Sequence, residues 1–353
     1  MSLLEKIIAG IKPLNREVME QAKKHQAQLT KPPGSLGILE ELAIKIAGIR
    51  SELFPELKKK RVVVFAGDHG VVEEGVSAYP KEVTAQMVYN FLRGGAGINA
   101  IASKGGAEVE VVDIGVEQDF PELEGLVSKK LRKGTRNFIK EPAMTRQEVI
   151  KAIEVGIERA QVAFEEGVDM IAGGDMGIGN TTSSSAIFSS LLNFYPEEVV
   201  GAGTGLEPEK IAHKIQIIKT AFKQYQQEID FNNPLEVLRV FGGYEIAGLV
   251  GLYLGSAEKR LICLVDGFIA TAGALIAIRL CPLLKDFLIF AHCSEEKGHR
   301  IVLEKIGVKP LLNLELRLGE GTGACLGMEI VESALFCHNQ MATFESAGVS
   351  EKI

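Results

Sequence analysis

Apolar residues over the first fifty positions recur with a helical period. Leu3, Leu4, Ile7, Ile8 and Ile11 lie on one stripe that Pro13 ends. The spacing predicts a second helix over about 15–29 and a third carrying Leu39, Leu42, Ile46 and Ile49. Between them Lys31-Pro-Pro-Gly-Ser-Leu-Gly37 forces a turn, because proline fixes φ and glycine tolerates positive φ. From residue 61 the texture changes to short apolar runs, each delivering a loop rich in glycine or polar groups. Val62–Ala66 runs into Gly67-Asp68-His69-Gly70, Val109–Ile114 into Gly115, and Met170–Ala172 into Gly173-Gly174-Asp175. Val199-Val200 runs into Gly201-Ala-Gly-Thr-Gly205, and Leu261–Val265 into Asp266-Gly267. Phe287–Phe290 runs into Ala291-His292-Cys293-Ser294, and Leu314–Leu318 into Gly319-Glu320-Gly321. Unbroken apolar runs such as Val62–Ala66 and Leu261–Val265 fit strands covered on both faces. Helical stretches separate them, one over about 81–103 and another opened by the capping-box signature Thr145-x-x-Glu148. The alternation predicts an α/β fold: a parallel sheet flanked by helices, Rossmann-like in layout. Residues 61–320 are expected to form the large α/β domain. Residues 1–60 plus 321–353 are expected to form a smaller helical one.

Composition narrows the functional classes. A chain of 353 residues with 46% apolar and 24% charged residues buries a sizeable core, which excludes a disordered chain or a disulfide scaffold. The net charge of -7 argues against a nucleic-acid partner, and the basic run Lys58–Arg61 reads as a solvated lead-in to a strand. Five cysteines, with no CxxC spacing, read as reduced thiols of a cytoplasmic protein. Six histidines without HxxxH or HExxH spacing give no support for a metal. The N-terminus lacks the basic and apolar regions of a signal peptide. Asp266 interrupts the longest apolar stretch, 261–280, so a strand and a helix are expected there rather than a membrane span.

In open parallel sheets ligands bind beyond the carboxyl ends of the strands, and the glycine-rich segments all fall at the ends of the expected ones. Gly177-Ile-Gly179-Asn180-Thr181-Thr182 opens an expected helix, where free amides and hydroxyls suit a phosphate; it also reads as a tight turn capped by threonine. Gly203-Thr204-Gly205 is a second such loop, followed by Lys210 and Lys214. The dinucleotide and P-loop fingerprints are both absent, which disfavours a nucleotide-dependent oxidoreductase and an ATPase. Glu320 stands between two glycines, where a carboxylate can approach a ligand closely. It reads either as a general base with a raised pKa or as a brace for its loop.

Together these segments resemble the nicotinate-nucleotide–dimethylbenzimidazole phosphoribosyltransferase family, over nearly the whole chain. The resemblance rests on Lys31–Gly37, Phe65-Ala-Gly-Asp-His-Gly70, Val76-Ser77, Val83-Thr84, Gly177–Thr182 and Gly203–Gly205. It continues through Gly242-Gly243, Asp266-Gly-Phe268, Glu296-Lys-Gly-His299, Arg317–Gly323 and Met341-Ala-Thr-Phe344. It implies transfer of phosphoribose from nicotinate mononucleotide to an aromatic base, without cofactor or metal, and Glu320 as the general base. Asp175 stands where the family carries glutamate, and an assisting role for the shorter carboxylate is open. The nucleotide phosphate is expected among Gly177, Gly179, Asn180, Thr181, Thr182, Gly203, Thr204, Gly205 and Ser294, with Lys214 supplying charge. Tyr79, Met87, Met176 and Leu318 are expected to line the pocket for the base, which is dimethylbenzimidazole, with phenol or p-cresol as further candidates. The resemblance also implies a homodimer, or a heterodimer with a paralogue. A non-catalytic subunit of such a pair is the alternative reading.

Overall fold

The computed structural model describes residues 1–203 and 205–350. In chain order the elements are α1 (Leu3–Gly10), α2 (Arg16–Gln28), α3 (Ile38–Arg50), β1 (Lys60–Gly67), α4 (Glu82–Leu92), α5 (Gly97–Gly105), β2 (Ala107–Gly115) and β3 (Leu126–Ser128). They continue with α6 (Arg146–Glu165), β4 (Met170–Met176), α7 (Asn180–Leu192), α8 (Pro196–Val199), α9 (Pro208–Tyr225), α10 (Pro234–Phe241) and α11 (Tyr244–Glu258). The remainder are β5 (Ile262–Val265), α12 (Phe268–Leu280), α13 (Leu284–Phe287), β6 (Leu288–Phe290), α14 (His299–Ile306), α15 (Thr322–Gln340) and α16 (Phe344–Ala347).

The six strands form one sheet in the order β3-β2-β1-β4-β5-β6, and every neighbouring pair is parallel. This is the expected α/β architecture. Pleating sends successive residues of β1 to opposite layers: Val63 and Phe65 join the core with Ile153, Leu249 and Leu252 of α6 and α11. Val62 and Val64 join the core with Ile46, Ala102 and Met328 of α3, α5 and α15. Winding reverses between β1 and β4, which opens a crevice at their carboxyl ends. Thr145 caps α6 as its spacing predicts: its Oγ1 accepts from the Glu148 N–H at 3.2 Å, and Glu148 accepts from the Thr145 N–H at 2.6 Å.

Helix α11 lies unusually close to α6. A Cβ at Gly251 would stand 1.8 Å from the Ile153 carbonyl oxygen, so only glycine lets the two backbones touch. Gly251→Ala is therefore expected to cost about 1–3 kcal/mol through overpacking, read as a lower denaturant midpoint.

Three local expectations differ from the structure, and one short strand adds to them. Val199-Val200 is no strand: Pro196 opens the helical turn α8 there, and the Tyr195 N–H donates to Glu198 Oε2 at 2.7 Å. Leu314–Leu318 is not a strand either; Glu315 has φ 58°, which breaks extended pairing, and Leu314 and Leu318 face outward. The helix expected over 81–103 is two, α4 and α5, parted at Gly94 with φ 76°. The short edge strand β3 carries too few apolar residues to stand out in the sequence.

Candidate functional site

The carboxyl ends of β4, β5 and β6 meet the segment 315–320 around a cleft of about 690 Å³. It gathers eleven of the residues singled out from the sequence: Tyr79, Met87, Asp175, Met176, Gly177, Asn180, Thr181, Gly203, Ser294, Leu318 and Glu320. Tyr79 and Leu318, 52% and 58% exposed, form the outer wall, with the half-buried Met87 and Met176 deeper. The opposite end is built by the start of α7, by Gly203 and by Ser294. Four expected residues do not border the cleft. Gly179 and Thr182 are buried at the start of α7, Gly205 is exposed, and Lys214 is fully buried. Lys214 nonetheless reaches the site from below, donating from Nζ to Thr181 Oγ1 at 2.7 Å. Thr204 lies outside the described residues.

Glu320 sits in a turn that sequence alone half disclosed. Its φ is 63°, between Gly319 at 81° and Gly321 at 85°, a left-handed run that strains the one residue with a side chain. Gly174 of β4 admits this turn, since a Cβ there would stand 2.4 Å from the Glu320 carbonyl oxygen. Glu320 Oε2 accepts from the Ile98 N–H at 3.1 Å, in the first turn of α5, and Oε1 accepts from no described residue. Burial lifts the Glu320 carboxyl above its ordinary range; the Ile98 N–H opposes this and the Asp266 charge adds to it. Asp175, at the end of β4, is lifted well above its range by burial, then by the charges of Asp266 and Glu245, against the Asn180 amide that donates at 3.0 Å. Such an arrangement keeps one carboxylate free to take a proton beside a second that resists ionisation.

The sequence reading did not assign Asp266, His292, Glu296, Arg317 or Phe268 to the site, yet all five border the cleft. Asp266 and His292 follow β5 and β6 closely, the same strand-end position that pointed to Asp175. Asp266 accepts from the N–H groups of Gly321 at 3.2 Å and Ala324 at 2.8 Å, which ties the Glu320 turn to β5. Glu296 accepts from the Gly203 N–H at 3.0 Å, and Arg317 donates to the Gly203 carbonyl at 3.2 Å. Lys214 faces Glu296 through the protein; burial pulls its amine down to about 8 and the Glu296 charge resists. Two other clefts, of about 720 and 700 Å³, flank the exposed Phe336 on α15, away from the strand ends. No group of side chains with metal-binding geometry occurs among the described residues.

A family profile described as phosphoribosyltransferase matches residues 11–349. This chain belongs to the nicotinate-nucleotide–dimethylbenzimidazole phosphoribosyltransferase family. A relative of that name from Geobacter sp. (strain M21) is 52% identical over 350 residues, covering 99% of this chain and 100% of the relative. One from Desulforamulus reducens is 48% identical over 352 residues, again across 99% of this chain. The crystal structure of the Thermus thermophilus enzyme of that name superposes with a TM-score of 0.90 at 46% identity, covering 96% of this chain and all of that one. The chain is thus a phosphoribosyltransferase of the α/β class. Among its described residues no helix is long and apolar enough to cross a membrane.

Proposed function

We propose that this phosphoribosyltransferase moves the phosphoribosyl group of nicotinate mononucleotide onto 5,6-dimethylbenzimidazole, with phenol or p-cresol as further acceptors. The observation that carries the proposal is the placement of Glu320. One side of its cleft is apolar, formed by Tyr79, Met87, Met176 and Leu318; the other is built from amides and hydroxyls at the start of α7, Gly203 and Ser294. The phosphate lies at that second end, above Thr181 and the Lys214 amine. The acceptor ring lies against the apolar wall, and its lone pair attacks C1′ from the face opposite nicotinate. The C1′–N bond breaks and its electron pair neutralises the pyridinium, so the leaving group needs no proton. The proton of the incoming N–H or O–H passes to Glu320, and inversion gives an α-linked ribotide. Asp175, one methylene shorter than glutamate, braces the site through Asn180 and the loop. The assembly in this reading is a cytoplasmic homodimer, checked by light scattering of the chain alone. Expression with a paralogue tests a mixed pair.

Mass spectrometry of products from nicotinate mononucleotide and a mixture of benzimidazole, adenine and phenolic bases tests the reading. Benzimidazole and phenolic ribotides are expected to dominate, because the several polar ring atoms of adenine lose water at this wall without finding partners. Efficient use of adenine with no turnover of benzimidazoles or phenols overturns the pocket assignment.

A further inference from the structure

Three side chains from three parts of the fold form one buried hydrogen-bonded chain behind the cleft. His69 follows β1, Ser183 lies in the first turn of α7, and Glu245 lies in the first turn of α11. His69 Nδ1 stands 2.9 Å from Ser183 Oγ, and Nε2 stands 2.5 Å from Glu245 Oε1. In the neutral ring the Nε2–H donates to the carboxylate, and Nδ1 accepts from the serine hydroxyl. Serine, histidine and carboxylate in line are the groups of a nucleophilic triad, but this chain is sealed. His69 is 3% exposed, Ser183 and Glu245 are fully buried, and none of the three borders the cleft. A hydroxyl that no substrate reaches is no nucleophile.

What the chain does touch is the loop that opens α7. A Cβ at Gly177 would stand 3.4 Å from His69 Nε2, and one at Gly179 3.2 Å from His69 Cβ, so the histidine packs against both glycines. Gly177 itself borders the cleft. A Cβ at Gly243, just before α11, would stand 2.3 Å from His69 Cε1. The imidazole is thus clamped between the α7 loop and the start of α11, facing Ser183. The arrangement is costly. Glu245 Oε2 has no hydrogen-bond partner among the described residues, and a well-packed apolar trio is commonly no less stable than a buried polar one. What a polar chain adds is direction: its bonds fix where the first turn of α7 points, and with it the free amides and the Thr181 hydroxyl.

We propose that His69 is a positioning residue for the nucleotide phosphate: held by Glu245, it anchors Ser183 and so pre-sets the first turn of α7 to receive the anion. The assignment rests on the phosphate of nicotinate mononucleotide lying at the start of α7.

The test reads the phosphate end on its own, through the competitive inhibition constant of ribose 5-phosphate, beside KM and kcat for nicotinate mononucleotide. Ser183→Ala deletes one oxygen and leaves the His69–Glu245 contact in place. It is expected to raise the inhibition constant and KM together by roughly 3- to 10-fold, the size of one lost neutral hydrogen bond, with kcat near that of the parent. His69→Gln, whose amide can still donate to Glu245 but no longer accepts from Ser183, is expected to show the same split. If it does not fold, Ser183→Ala alone decides. A merely structural role would lower Tm or kcat and leave the inhibition constant at the parent value, and that result overturns the proposal. Lys214→Met separates this failure from that of the reading beneath it. If Lys214→Met weakens ribose 5-phosphate and the other variants do not, His69 positions nothing for the phosphate. If no variant weakens it, or the parent is not inhibited at all, the phosphate does not lie at the start of α7.

Discussion

Glu320→Gln is expected to lower kcat roughly 10²–10⁴-fold while affinity for nicotinate mononucleotide stays near that of the parent. The amide keeps the shape of the carboxylate and can still accept from the Ile98 N–H, so the strained 319–321 turn has no reason to rearrange. What it loses is the capacity to take a proton from the acceptor base. The pH profile supplies a second signature. Burial raises the Glu320 carboxyl in the folded protein, so the acid limb of kcat/KM should lie above the ordinary carboxyl range and vanish in the variant. Linkage gives the direction of the stability effect. A carboxyl whose folded pKa is raised binds protons more readily folded than unfolded, so stability falls as pH rises from its unfolded to its folded pKa. The glutamine variant, free of that buried charge, should be at least as stable as the parent at neutral pH, which separates lost chemistry from lost fold. Unchanged kcat would move the proton acceptor to Asp175 or another group.

The parts of this site that were legible in the sequence share one physical origin. A strand covered on both faces must be apolar throughout, so the first polar residue after it marks the sheet edge where ligands bind. Asp175 was found this way, and Asp266 and His292 carried the same signal without being assigned. The capping box at Thr145 was legible because both of its hydrogen bonds are local. Elements defined by long-range contact were not. Val199 and Val200 look extended by composition, but both are buried and Ser185 Oγ donates to the Val199 carbonyl. The segment 314–318 alternates like a strand, yet its backbone pairs mainly through one bond, from the Glu295 N–H to the Leu316 carbonyl at 2.9 Å. The depth of Lys214 was equally hidden, because a lysine at helical spacing usually ends in solvent, and only the fold places its amine beneath Thr181.

That depth leads to the other large expected effect. Lys214→Met, which keeps most of the volume of the aliphatic stem, is expected to raise KM for nicotinate mononucleotide roughly 10- to 100-fold, by removing a buried positive charge beneath the phosphate and its hydrogen bond to Thr181 Oγ1. Its influence on kcat and on the choice of acceptor base should be small, because the amine lies under the anion end of the cleft and not beside Glu320. The parent enzyme should show the same dependence through pH. Burial pulls the Lys214 amine down to about 8, against the charge of Glu296, so the free enzyme loses this positive charge as pH rises through that value. A bound phosphate favours the charged amine, so nucleotide binding should take up a proton above about pH 8 and KM should climb there. The methionine variant has no such group, and its KM should lack that step. Stability should move the opposite way to binding. A lysine whose folded pKa is depressed costs stability while it is forced to stay charged, and that cost is fully present below about pH 8 and relieved as pH rises toward the unfolded value. Lys214→Met is therefore expected to hold or raise Tm at about pH 7 even as it weakens the nucleotide. An unaltered KM accompanied by a changed preference among aromatic bases would place Lys214 at the other end of the cleft.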